Sequence, residues 1–228
     1  MCLRRSLRRL RDLSTAFSML CLIGCIAPPP REVPDVVHAF ATSGAYPWLR
    51  DAFACAPGST ALAVADPNSA DVSLRLGEPE SITTPAFQIG SEDILVVLHP
   101  QVGISALTLG QVRRIFAGEV TNWNEVGGAN LPVQVWAFSA AEDVQLILDR
   151  VVLQGRPVAS GARLAVSAQA MSDSIGATPG SIGVLPKRWK AGNTREILVL
   201  ASVPVLAIAK NEPQGSLREI LSCLQSAR

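Results

Sequence analysis

Short β-branched runs alternate with amphipathic stretches along the whole chain, and this alternation predicts an α/β fold. Residues 36–41 and 94–99 read as strands, whereas 108–117 and 215–225 carry apolar residues at helical spacing. Of the 228 residues 48% are hydrophobic and 17% charged, enough apolar material for one large domain or two small lobes with real cores.

In chain order, the first strand is Val36–Ala41, ending at Thr42, Ser43, Gly44 and Ala45. A helix is expected from 46 to about 56, and further strands at 61–65, 71–76, 86–89 and 94–99. In 108–117 the residues Leu109, Val112, Ile115 and Phe116 mark a buried helix face, with Thr108 as N-cap and Gly118 as stop. Beyond it come a strand at 133–138, a helix at 141–153, a strand at 162–166 and a helix at 168–177. A buried strand at 182–185 and an apolar strand region at 197–209 follow. The last helix, 215–225, places Leu217, Ile220, Leu221 and Leu224 on one face.

The first residues have another character. Arg4, Arg5, Arg8, Arg9 and Arg11 precede an uncharged stretch at 13–27, which Pro28, Pro29 and Pro30 close. This is the pattern of a secretory signal, and its apolar part is shorter than the roughly 20 residues a spanning helix needs. Leu22, Ile23, Gly24 and Cys25 resemble the lipobox of bacterial lipoproteins. The resemblance implies a signal peptide at 1–24, lipid on Cys25 and a proline-rich tether at 25–34, with an uncleaved anchor or simple secretion as the alternatives. The expected location is the outer face of the cytoplasmic membrane.

Removing residues 1–24 takes away five arginines and one aspartate, so the formal net charge falls from +1 to −3. No basic surface remains to argue for nucleic acid. Cys55 and Cys223 are the two cysteines beyond the leader; they read either as a disulfide between the two ends of the domain or as two separate buried residues. His38 and His99 lack the spacing of a metal site and read as structural. No cofactor is expected.

Two blocks carry a family resemblance. LTLGQVRRIFAGEVTNWNEVGG, residues 107–128, resembles phosphate-binding proteins of ABC transporters, in which a helix ending in Phe-x-Gly leads into a Thr-Asn-Trp turn. AMSDSIGATPGSIGVLP, residues 170–186, is similar to the helix, Pro-Gly turn and strand of the same family, and SGAYPWLRDAF at 43–53 is a weaker match at its first anion-binding turn. The resemblance implies a two-lobed, periplasmic-binding-protein-like fold of type II. Residues 35–103 and 191–228 would form lobe I, residues 104–190 lobe II, and a small ligand would bind in the cleft between them. Leu109, Val112, Ile115, Phe116 and Trp123 themselves read as core residues, and Gly118, Gly127, Gly128, Gly180 and Gly183 as turn or close-packing positions. These motifs therefore identify the fold better than the ligand.

The resemblance also points to binding residues. Thr42, Ser43 and the amides of Gly44 and Ala45 stand at the first position, where simple capping of the next helix would use the same residues. At the second, Ser73 and Arg75 are present but offset, with Gly77 and Glu78 at the expected place. At the third, the family's Gly-Ser-Gly-Thr turn is replaced by SAAEDVQ, residues 139–145, making Ser139, Glu142 and Asp143 the candidates. Two acids near a helix N-terminus suit the helix dipole and repel phosphate, so a cationic or hydroxyl-rich solute fits as well.

The implied function is a lipid-anchored, monomeric solute-binding protein that delivers phosphate or another small solute to an ABC permease. The alternative is a lipoprotein that keeps the fold to sense or interact with a membrane partner. Enzymatic activity is not expected: adjacent carboxylates on a helix point about 100° apart, and neither a nucleophile with its base nor a metal site accompanies them.

Overall fold

The computed structural model describes residues 35–56 and 60–226. The expected signal peptide, the tether and Cys25 lie outside the described residues. Among those described, no helix is long and apolar enough to cross a membrane.

Among the described residues eight strands form one sheet: β1 (Val36–Ala41), β2 (Thr60–Ala63), β3 (Val72–Leu76), β4 (Ala86–Leu98), β5 (Gln134–Ala137), β6 (Arg163–Leu164), β7 (Ser181–Pro186) and β8 (Arg195–Ala209). Their spatial order is β2-β1-β3-β8-β4-β7-β5-β6. The pairings β2–β1–β3 are parallel, as are β7–β5–β6 at the other end. The long strands β4 and β8 run antiparallel between these two groups and to each other. Two parallel α/β halves are thus joined through a pair of shared strands.

Five α-helices among the described residues cover the sheet: α1 (Pro47–Ala54), α2 (Leu109–Phe116), α3 (Asp143–Leu148), α4 (Ala168–Ala177) and α5 (Gly215–Ser226). Local chemistry sets their starts. Thr108 accepts from the Gln111 amide while the Gln111 side chain accepts from the Thr108 amide, a reciprocal cap that satisfies two otherwise orphaned donors. Ser167 caps α4 through the Ala170 amide. On α2, Val112, Ile115 and Phe116 are fully buried, but Leu109 is 39% exposed, against expectation. As the first helical residue it projects past the end of the buried stripe.

The Thr-Asn-Trp turn also has a local cause. Asn122 accepts from the Asn124 amide, and Glu125 accepts from the amides of Thr121 and Asn122. Those two backbone bonds hold the Glu125 carboxyl below its ordinary value. Trp123, fully buried, donates its indole N–H to the Gly180 carbonyl at 2.8 Å and so ties this turn to the Pro-Gly turn before β7.

Two expected elements differ. The strands expected at 86–89 and 94–99 are one strand, β4, because Gly90, Ser91, Glu92 and Asp93 find continuous partners in Val205, Pro204, Val203 and Ser202 of β8. Their turn-like composition serves another contact. A Cβ on Gly90 would overlap the Trp48 ring, and Glu92, 4% exposed, accepts from the Trp48 indole at 3.2 Å and the Arg188 amide at 3.0 Å. The helix expected at 141–153 is α-helical only through Leu148 and widens into a π turn at Asp149–Leu153.

Cys55, just after α1, and Cys223, in α5, form a disulfide across a sequence separation of 168, with Cα atoms 5.7 Å apart. His38 contacts the Asp71 carboxylate at 3.1 Å, and His99 accepts from the Gln101 amide. No cluster of metal-ligating side chains is present among the described residues.

Candidate functional site

The polar residues that meet between the halves come from three chain segments. Thr42 begins the turn after β1, Arg75 and Leu76 end β3, and Asp143 opens α3. Along β3 the alternation buries Val72, Leu74 and Leu76 and leaves Ser73 and Arg75 on the other, half-buried face. Beyond it Gly77 turns the chain with φ of +75°, a conformation open to glycine.

Asp143 is the centre of the cluster. It is 2% exposed, yet its carboxylate is fully engaged. Oδ2 accepts from the Thr42 hydroxyl at 2.6 Å and the Leu76 amide at 2.9 Å. Oδ1 accepts from Arg75 Nη2 at 2.6 Å and Nε at 3.1 Å. A buried carboxylate is tolerated only when paired and hydrogen-bonded in this way.

The neighbouring contacts follow the same pattern. Ser43 presents its hydroxyl to the Ala168 amide at 2.7 Å, at the start of α4. Its own amide lies close enough to the Glu142 carboxyl to favour the charged form. The Glu142 carboxyl is pushed above its ordinary value, first by burial and then by the Asp143 charge, with the Ser43 amide opposing both. The Trp189 indole donates to the Gly44 carbonyl at 3.1 Å. Gly44 is small for a reason: a Cβ there would stand 2.9 Å from Leu76 and 3.0 Å from Val144, where the two halves meet.

Of the residues expected at the site, Thr42, Ser43, Gly44, Arg75, Glu142 and Asp143 are brought together. Ala45 is fully buried and its amide donates to the Thr42 carbonyl inside the turn. Ser73 lies on the Arg75 face of β3 but makes no bond to the cluster among the described residues. Ser139 is exposed, and its carbonyl accepts from the Glu142 amide. Neither Thr42 nor Ser43 caps α1, whose N-cap position is Tyr46 without a side-chain bond. The Leu76 and Ala168 amides and Trp189 join the site without having been expected. Backbone amides leave no trace in residue identity, whereas the position of Leu76 just before a turn-forming glycine was a usable signal.

A groove of about 480 Å³ opens beside the cluster, with Arg75, Glu78, Glu80, Asp149 and Arg150 among its lining residues. The Arg188 guanidinium stacks 3.8 Å from the Trp48 ring centroid and pairs with Asp51 at 2.7 Å, joining α1 to the end of β7. Both features lie where the halves meet.

This is the architecture of a two-lobed binding protein with a cleft between its lobes. A family model for a PBP superfamily domain matches residues 81–217, and the chain belongs to that superfamily, one of binding proteins rather than enzymes. Among solved structures it is similar to a putative phosphate ABC transporter substrate-binding protein with bound phosphate from Clostridium perfringens. That match has a TM-score of 0.76 and 14% identity over 83% of this chain and 93% of the other. It is also similar to an ABC-type phosphate transport receptor from Vibrio cholerae, with a TM-score of 0.63 and 15% identity over 84% of this chain and 95% of the other. The OxyR2 regulatory domain from Vibrio vulnificus shares the fold as well, with a TM-score of 0.61 and 10% identity over 86% of this chain and 98% of the other. At such identities the likenesses establish the fold alone.

Proposed function

We propose that this chain is a lipid-anchored, extracytoplasmic binding protein that takes a small solute between its lobes and presents it to an ABC permease. The observation that supports the reading is the convergence of the Thr42 hydroxyl, the Leu76 amide and the Arg75 guanidinium on one point of the cleft. Such donors replace the water shell of an oxyanion group, a place the Asp143 carboxylate holds unless a solute displaces it. Phosphate or another small solute is the proposed ligand, and the adjoining groove gives a solute room beside Asp143. In this reading residues 1–24 are the signal peptide, Cys25 carries the lipid and 25–34 are the tether. Residues 35–103 with 191–228 form one lobe and 104–190 the other, and the protein acts as a monomer on the outer face of the cytoplasmic membrane.

One observation favours a second reading, a lipoprotein that senses or binds a membrane partner without transport. Asp143 already occupies the converging donors, and the fold also serves as a regulatory domain in one of the similar structures.

A thermal-shift screen of the purified protein against phosphate, sulfate, molybdate, amino acids, polyamines and sugars separates the two. A ligand at 100 times its dissociation constant adds about 2.7 kcal/mol of stability. A shift with a specific solute, together with copurifying permease subunits, supports transport. No shift with any solute, together with a copurifying membrane partner other than a permease, overturns it in favour of sensing or interaction.

A further inference from the structure

We propose that Asp143 is the cleft's resident ligand: its carboxylate fills the oxyanion position made by Thr42, Arg75 and Leu76 and holds the two lobes closed without a bound solute. The donor set carries the argument. A hydroxyl, a backbone amide and a guanidinium converge on two oxygens, the arrangement that recognises a small oxyanion. Here both oxygens belong to the protein, and the donors lie 101, 67 and 68 residues away along the chain. A carboxylate serving only its own helix would bond to that helix's amides. The bonds of Asp143 instead all reach to the β1–α1 turn and the end of β3.

The surrounding contacts agree. The Ser43 hydroxyl accepts from the Ala168 amide, so a side chain also stitches the β1–α1 turn to α4. A free anion entering here has to displace Asp143, which leaves a second carboxylate, Glu142, close by to repel it. Wild-type protein is therefore closed at rest and refuses small oxyanions at this position. Removing the carboxylate vacates the donors, and a free carboxylate or tetrahedral oxyanion of similar reach fills them.

The inference rests on the interlobe space being the ligand cleft but not on a permease partner. It remains intact if transport fails, and a cationic or neutral solute bound in the adjoining groove leaves it intact too.

The test compares full-length wild type with Asp143→Ala, each in formate, acetate, phosphate or matched chloride, by thermal midpoint and small-angle scattering. The expected wild type is closed in chloride, with a midpoint that formate and phosphate leave unchanged. Asp143→Ala is expected to melt several degrees lower and to scatter as a more open particle. Formate, acetate or phosphate, but not chloride, should restore most of both losses. The proposal is overturned if Asp143→Ala stays as closed as wild type, if no oxyanion rescues it beyond chloride, or if phosphate shifts wild type as much as the variant. Should Asp143→Ala fail to fold in chloride, refolding in formate becomes the readout: recovery supports the proposal and continued failure overturns it.

Discussion

Glu142 and Asp143 are neighbours in sequence and opposites in environment. Asp143 receives a guanidinium, a hydroxyl and an amide. Glu142 is half-buried beside that charge, and the nearby Ser43 amide is too weak to offset burial and repulsion, so its carboxyl sits above its ordinary value. A group whose folded pKa lies above its unfolded one favours folding when protonated. The contribution is fully present below the unfolded value and is lost as pH rises through the folded one. Glu142→Gln imitates the protonated acid. It should therefore match wild type in thermal midpoint in acid and exceed it increasingly as pH rises to neutrality. A midpoint difference that is flat across this range, or that favours wild type at neutral pH, would contradict the assignment. Sequence made Thr42, Arg75 and Asp143 candidates to touch a bound molecule. It did not reveal that they touch one another, because the contact joins positions 68 and 101 residues apart whose residue types suit either arrangement.

Elements fixed by neighbouring residues were legible, and those fixed by distant ones were not. The α2 cap expected at Thr108 follows from a side chain reaching the amide three residues on, and the unforeseen α4 cap at Ser167 has the same local cause. By contrast, Gly90 to Asp93 separate two expected strands until β8 supplies partners and Trp48 claims the space above Gly90. The Pro-Gly turn before β7 joins both scales. Gly180 has φ of +79°, and a Cβ there would collide with the Pro132 carbonyl oxygen. Its own carbonyl receives the Trp123 indole. Gly180→Ala combines backbone strain with overpacking and should cost about 2 kcal/mol or more. The loss should appear in urea unfolding as a lower midpoint with an unchanged slope. A midpoint equal to that of wild type would show that this turn yields without cost.

Across the whole molecule, covalent and noncovalent ties do different work. The Cys55–Cys223 disulfide links α1 to α5, and both helices pack against β1, so the bond staples the two ends of the chain inside one half of the sheet. The Thr42, Arg75 and Leu76 bonds to Asp143, and the Ser43 bond to Ala168, instead connect that half to the helices leading toward β6 and β7. Breaking the disulfide should therefore destabilise the fold without opening it. A cross-link spanning this much chain contributes about 2–4 kcal/mol, which in a domain of this size is on the order of 10 °C in thermal midpoint. The double variant Cys55→Ser, Cys223→Ser should show that loss while its scattering profile overlays that of wild type at a temperature where both are folded. If the particle instead opens when the disulfide is absent, the staple also positions the β1–α1 turn against Asp143. The two ties would then act as a single device rather than as independent ones.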